Sequence, residues 1–268
     1  MNTKKILIIR NDHIGDLVMT TGVFREIKKN FHKSHITIII QKKFKPIIEK
    51  NPNIDEIIYL TEPKHNLKTI KKFFKASRFI KSKKFDYGID MRGSLLNTFF
   101  LLYLPRIRKR ISRTDIHRFL KIFLTNPISF KPGTHMTKDN LELINKGLLI
   151  KGKNSEPEII TDKKDEKEVN EFIKKNNLDR YICICPIAGL KIKQWELKNF
   201  FEIIKWLKKF KIKILLLGEK KHKQTLKELS KSNEKAKVLI DYDLRKMSLL
   251  FKKSRLVLAQ DGGPMHIA

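Results

Sequence analysis

The stretch Lys5-Ile6-Leu7-Ile8-Ile9-Arg10-Asn11-Asp12-His13-Ile14-Gly15-Asp16-Leu17-Val18-Met19-Thr20-Thr21-Gly22 decides the fold. Residues 6–9 are an unbroken apolar run, as a strand needs when both faces of its sheet are covered. A polar turn follows, and from Leu17 onward Val18, Phe24 and Ile27 are among the apolar positions of a helical pattern. Strand, turn and helix in that order open a βα unit of a parallel sheet. Ligands of such sheets bind beyond the carboxyl ends of the strands, and Asp16 lies there. It also lies at a helix start, where the dipole favours a carboxylate. Capping and chemistry are therefore both open roles for it.

The alternation continues along the chain. Strand-like runs at 36–40, 57–60, 87–90 and 107–111 are separated by helical patterns such as 44–50 and 67–81. Asn51-Pro52-Asn53 breaks the chain before the third strand. A helical segment over 137–149 ends near Gly152, and the charged stretch 151–168 reads as a linker entering the next helix. A second series of strand-like runs then falls at 181–185, 212–217, 238–240 and 256–259. Strands joined by right-handed helical crossovers give parallel sheets. The expectation is an α/β protein of two doubly wound domains: residues 1–152, a linker with the first helix of the next domain over 153–180, and a second domain over 181–268. The part after the linker is shorter than the roughly 150 residues usual for such a domain. The chain also stops inside the helix that Pro264 opens, so the second domain is expected to be incomplete.

The 268 residues carry 59 basic and 28 acidic side chains, a net charge of +31, yet only 12 of the basic residues are arginine. Many lysines, such as Lys205, Lys208, Lys209, Lys211 and Lys213, are scattered over expected helix faces. Nucleic acid competes as a partner for so basic a chain, but no helix-turn-helix, zinc knuckle or aromatic RNA-binding motif accompanies the charge. One cluster is denser: Arg106, Arg108, Lys109, Arg110, Arg113 and Arg118, following the apolar stretch 95–104. That combination suits an anionic membrane surface or a phosphorylated lipid acceptor. A core helix followed by an exposed basic strand is the other reading. No window reaches the roughly 18–20 apolar residues of a membrane span, and the first apolar run is too short for a signal peptide. A cytoplasmic protein is expected. Cys183 and Cys185 share one face of a strand and read as small core residues. There is no Gly-rich dinucleotide fingerprint and no phosphate-binding loop ending in Gly-Lys-Ser/Thr. No Asp, His or Cys cluster has metal-ligand spacing, so no metal is expected.

The far end reads Ala259-Gln260-Asp261-Gly262-Gly263-Pro264-Met265-His266-Ile267-Ala268. A short strand runs into an acid, two glycines and a proline placed for a first helical turn. Glycines admit a ligand close to the backbone, and free N–H groups at a helix start seat a phosphate. A plain strand-to-helix turn with Asp261 as its capping acid is the alternative.

Gly15-Asp16, the Asp261–Ala268 segment, and Pro186-Ile187-Ala188-Gly189 followed by Lys193-Gln194-Trp195 fall in one order along the chain. Through them the chain resembles glycosyltransferase family 9, the ADP-heptose:lipopolysaccharide heptosyltransferases. The resemblance implies the GT-B architecture, two Rossmann-like domains with the acceptor on the first and the nucleotide sugar on the second. It makes Asp16 the general base and sets Lys193 against the diphosphate. Gly262 and Gly263 would offer N–H groups to the phosphates, Asp261 would hold hydroxyls of the donor sugar, and Glu219 would approach the donor ribose. His266 would contact the nucleotide or simply pack, and Met265 is expected to pack. His13 and Arg92 are the candidate acceptor contacts. Three departures stand out: Gly262 replaces the family's Ser or Thr, Ile187 replaces a Gly, and Lys220 and Lys221 break the pattern after Glu219.

The implied reaction is metal-independent, cofactor-free transfer of a heptose, with inversion, from ADP-heptose to an anionic lipopolysaccharide core acceptor. Its setting would be the cytoplasm or the inner face of the cytoplasmic membrane. Two alternatives remain: a related transferase using another nucleotide sugar, and a non-catalytic basic protein binding nucleotides or nucleic acid.

Overall fold

A computed structural model describes residues 3–61, 67–130 and 133–268. The chain divides into two compact units, Met1–Glu158 and Ile159–Ala268. The first ends six residues later than the boundary expected from the sequence because residues 153–158 are bonded to it. The Lys153 N–H donates to Glu26 Oε2 at 2.8 Å and the Glu158 N–H donates to Thr21 Oγ1 at 2.8 Å. Arg25 forms an ion pair with Glu158.

The first unit holds β1 Lys4–Ile9, β2 Ser34–Ile40, β3 Glu56–Tyr59, β4 Tyr87–Asp90, β5 Lys109–Arg113 and β6 Asn126–Ile128. They form one parallel sheet in the order β3-β2-β1-β4-β5-β6. The apolar run of β1 takes a central place, with Ile6, Leu7, Ile8 and Ile9 fully buried. Helices Thr21–Asn30, Leu67–Lys83 and Met136–Leu148 are the longest in this unit. Each fully buried Ile or Leu contributes about 1.5–3 kcal/mol.

One segment departs from the sequence reading, and another falls to one of its two alternatives. β6 was not expected; it contains Pro127, which is tolerated because this strand pairs only with β5 at the sheet edge. For the apolar stretch 95–104, the core reading is the one its middle follows, while Tyr103 is 42% exposed. Its turn Leu95–Asn97 runs into a π-helical segment, Thr98–Tyr103, whose Phe100, Leu101 and Leu102 are buried with Phe73 and Phe85.

The second unit holds β7 Tyr181–Cys185, β8 Lys213–Gly218, β9 Ala236–Ile240 and β10 Val257–Ala259, parallel and in the order β10-β7-β8-β9. Its core gathers Ile182, Ile184, Phe200, Ile204, Leu216 and Leu226. Cys183 and Cys185 are buried in β7, and burial pushes the Cys183 thiol up to about 12 and Cys185 further. Both behave as core residues. Among the described residues no helix is long and apolar enough to cross a membrane.

Each sheet reverses its winding once. In the first unit the crossovers leave β1 toward β2 on one side and reach β4 on the other. In the second, β7 stands between β8 and β10. Such a switch point leaves a crevice at the carboxyl ends of the two strands, because the helices on either side diverge.

Candidate active site

The loop after β1 lies at the first switch point and is fixed by buried polar bonds. Arg10 donates to Thr20 Oγ1 (3.0 Å), Asp12 Oδ2 (3.1 Å) and Asn140 Oδ1 (3.2 Å). Gln41 Nε2 donates to the carbonyls of Asn11 (3.0 Å) and Asp12 (2.5 Å). One oxygen of this network, Asp12 Oδ1, is buried without a partner and is its weak point.

The turn places Asp16 in the first turn of helix Ile14–Val18, with His13 at the N-cap. No side chain caps this helix, so simple capping does not explain the carboxylate. Its Oδ2 stands 3.4 Å from His13 Nδ1, with the Asp16 side chain 21% and that of His13 71% exposed. Ligand atoms of Asp12, His13 and Asp16 also lie within 4.8 Å of one another. This grouping corrects the reading that the chain lacks a metal-spaced cluster. Arg10 already neutralises Asp12, however, which weakens the attraction of the group for a cation.

The other strand of this switch point ends at Asp90, fully buried. Its carboxylate accepts the N–H groups of Arg92 (3.2 Å) and Ser94 (2.8 Å) and the Thr98 hydroxyl (3.2 Å). Burial pushes the carboxyl up to about 6, and the charge of Asp12 adds to the rise. Gly93 follows with φ +78°, and a Cβ there would lie 2.7 Å from Arg113 Cγ. The half-buried Arg92 therefore sits on a rigid turn beside the crevice. Arg113, at the end of β5, pairs with Asp115 at 2.6 Å and covers the Phe130 ring at 5.1 Å. The sequence reading gave Arg113 only a place in a basic cluster.

At the second switch point Lys193 and Asp261 meet. Lys193 ends the 3₁₀ turn Lys191–Lys193 after β7, and Asp261 follows β10. The register Ala259↔Cys185 brings the two loops together, and Lys193 Nζ stands 2.7 Å from Asp261 Oδ2. The Lys193 ammonium holds the Asp261 carboxyl below its usual range. Two glutamines tie the loops: Gln194 Oε1 accepts the Ala188 N–H at 2.8 Å, and Gln194 Nε2 donates to the Pro186 carbonyl at 2.8 Å. Gln260 Oε1 accepts the Trp195 N–H at 3.2 Å. The sequence reading passed over Gln260; its near-complete burial beside a loop is the feature that marks it.

Gly262 precedes the short helix Gly263–Ile267 in extended backbone, and a Cβ there would approach nothing closer than the Gln260 carbonyl at 3.9 Å. Its value is open access rather than a special conformation. His266 lies on that helix half-buried, and Met265, expected to pack, is 43% exposed. Glu219 follows β8, beside β7, with Lys221 Nζ 2.8 Å from its Oε2. Asp261, Lys193 and Glu219 thus stand at the carboxyl ends of three adjacent strands. Asp16 and His13 lie with Arg92 in the other unit.

Two Rossmann-like units, each gathering polar side chains at its switch point, define the GT-B class. The profile of glycosyltransferase family 9 (heptosyltransferase) matches residues 73–268, and the chain belongs to that family. It is 24% identical over 207 residues to lipopolysaccharide heptosyltransferase 3 of Escherichia coli K12, covering 71% of this chain. The chain spans 56% of the length of that relative. Among solved structures, a family 9 glycosyl transferase from Veillonella parvula superposes with a TM-score of 0.84 at 22% identity, over 98% of this chain and 77% of that one. The E. coli ADP-heptose heptosyltransferase II gives 0.80 at 16% identity, over 98% and 81%. At these identities the structures speak for the fold.

Proposed function

We propose that this chain is an inverting glycosyltransferase of the cytoplasm that moves a heptose from ADP-heptose to a lipopolysaccharide core acceptor. The observation that carries the reading is the meeting of Lys193 and Asp261, 2.7 Å apart at the switch point of the second unit. A cation and an acid side by side beyond a strand end suit a donor with a diphosphate and sugar hydroxyls.

In the proposed step, Asp16 takes the proton of an acceptor hydroxyl as its oxygen bonds to the anomeric carbon. The bond from that carbon to the diphosphate oxygen breaks at the same time, and its electron pair leaves with the diphosphate. Lys193 and the N–H groups of Gly262 and Gly263 stabilise the leaving charge. Asp261 orients the sugar, Glu219 the ribose and His266 the nucleotide, while His13 and Arg92 hold the acceptor. With Asp12 buried and paired to Arg10, Asp16 is the one base offered to the acceptor, which means a single displacement with inversion. With cationic groups at the diphosphate, transfer proceeds without a metal.

A donor screen by thermal shift tests this reading. ADP-sugars should raise the melting temperature where UDP- and GDP-sugars do not. Stabilisation by a uridine or guanosine donor alone would replace the proposed sugar nucleotide, and stabilisation by none would remove the second unit as a donor site.

A further inference from the structure

The 3₁₀ helix Arg118–Phe123 turns its side chains in three rows, because three residues complete one turn. One row is Leu120 and Phe123. Leu120 is fully buried, and the Phe123 ring packs edge-on against Phe99 at 5.3 Å and Tyr103 at 5.1 Å. The second row is Phe119 and Ile122, 51% and 73% exposed, with Ile116, 53% exposed, just ahead of the helix. The third is Arg118 and Lys121, both exposed. Inward apolar, outward apolar and outward basic rows therefore run side by side on a short, anchored element.

The surroundings extend the basic row. Between residues 103 and 123 there are seven basic side chains and one acid, Asp115, which Arg113 already engages at 2.6 Å. Arg106, Arg108 and Lys109 are exposed, and Tyr103 is partly so, with the Arg110 guanidinium 5.5 Å from its ring. Arg110 also bonds the Phe123 carbonyl at 2.7 Å, which fixes the helix to β5.

We propose that Ile116, Phe119 and Ile122, flanked by Arg118 and Lys121, form a docking surface for an anionic lipid bilayer. Exposed apolar side chains flanked by cations match the boundary between acyl chains and acidic headgroups. A second copy of the chain fits poorly, since a twofold contact would set seven cations against seven. The most exposed members of the stripe are isoleucines, which insert into apolar surroundings and offer no ring for a nucleic-acid base to stack on. This binding needs no sugar transfer, so its failure would leave the donor-site reading untouched, and the reverse also holds.

The test is flotation of the purified chain with vesicles of phosphatidylethanolamine and phosphatidylglycerol, compared with phosphatidylcholine vesicles. Binding is expected to the anionic vesicles alone. Phe119→Ser with Ile122→Ser should weaken it at least about tenfold. Arg118→Gln with Lys121→Gln should weaken it roughly thirtyfold, from the attraction of each cation to the surface. Lys252→Gln with Lys253→Gln, exposed on a helix of the second unit, should change it little. All six side chains are exposed, so melting temperatures should match the parent, and the two test pairs check each other should one fail to fold. Equal binding to both vesicle types, or an equal loss from the Lys252 and Lys253 pair, would overturn the proposal. So would a dimer in sedimentation that the Phe119 and Ile122 pair abolishes, which would make the stripe an interface between copies.

Discussion

Lys193 and Asp261, 68 positions apart in sequence, form a half-exposed ion pair at 2.7 Å. Each neutralises the other before any ligand arrives, so under the proposed function a donor diphosphate would compete with Asp261 for the ammonium. The pair costs the fold little to lose, because water screens an ion pair this exposed. Lys193→Ala should therefore melt like the parent. Its affinity for an ADP-sugar in calorimetry should fall at least tenfold, a charged hydrogen bond contributing about 1.5–3 kcal/mol. Unchanged affinity would return Lys193 to the other 46 lysines.

Asp16→Asn keeps the shape of the side chain and its accepting oxygen but cannot take a proton near neutral pH. With no capping bond to lose, the variant should fold and bind donor as the parent does. Its single-turnover transfer rate should drop by roughly 10²–10⁴-fold. A variant that transfers sugar at the parent rate would take Asp16 out of the chemistry.

Asp90 predicts a pH dependence of stability with an unusual sign. Its folded pKa is raised from 3.8 to about 6, so between those values the folded state binds more protons than the unfolded one. The contribution is complete below the unfolded value and is lost as pH rises through the folded one, by up to about 3 kcal/mol. Glu26, Asp55, Glu56 and Asp115 act oppositely: their folded pKa values are lowered, and their contribution is lost as pH falls. Comparing the parent with Asp90→Asn isolates the first effect. The parent's stability minus the variant's, from denaturant unfolding, should fall between pH 4 and pH 7. A constant difference would mean that Asp90 stays ionised when folded.

Much of the fold was legible because parallel strands buried on both faces leave long apolar runs. The expected strand at 87–90 and that at 181–185 match β4 and β7 at both ends. β6 was illegible because three residues containing a proline carry no period. The π-helical segment hid because its apolar side chains follow neither a 3.6 nor a 2 repeat. Asp16, Lys193 and Asp261 became candidates only through motif resemblance, since a single Asp or Lys in a loop has many structural uses. Pairings across the switch points depend on strand order, which local pattern does not encode. For that reason Gln194 and Gln260 gained a role only from the structure.

Gly22 offers the sharpest steric prediction. A Cβ on it would stand 2.4 Å from the Glu156 carbonyl oxygen, a backbone atom that no rotamer change can move. Gly22→Ala should destabilise the first unit by about 1–3 kcal/mol, as overpacking does. Gly93→Ala would meet Arg113 Cγ at 2.7 Å and the Arg113 carbonyl oxygen at 3.0 Å, and the left-handed backbone adds about 1–2 kcal/mol to its cost. Urea unfolding of the two variants would compare them, and a neutral Gly22→Ala would mean that the 155–156 backbone yields.

The same close approach makes residues 153–158 a strap across the helix that follows the Asp16 turn. Lys153 and Glu158 are bonded to that helix, and Ser155 and Glu156 press on Gly22. Such a strap is held at both ends and pressed at its middle, so a protease threads it less readily than an untethered chain. Mild digestion should then release a first fragment that retains residue 158. An excised fragment stopped at residue 152 would bare Thr21 and Gly22 and leave Arg25 without Glu158, so it should be the less soluble of the two.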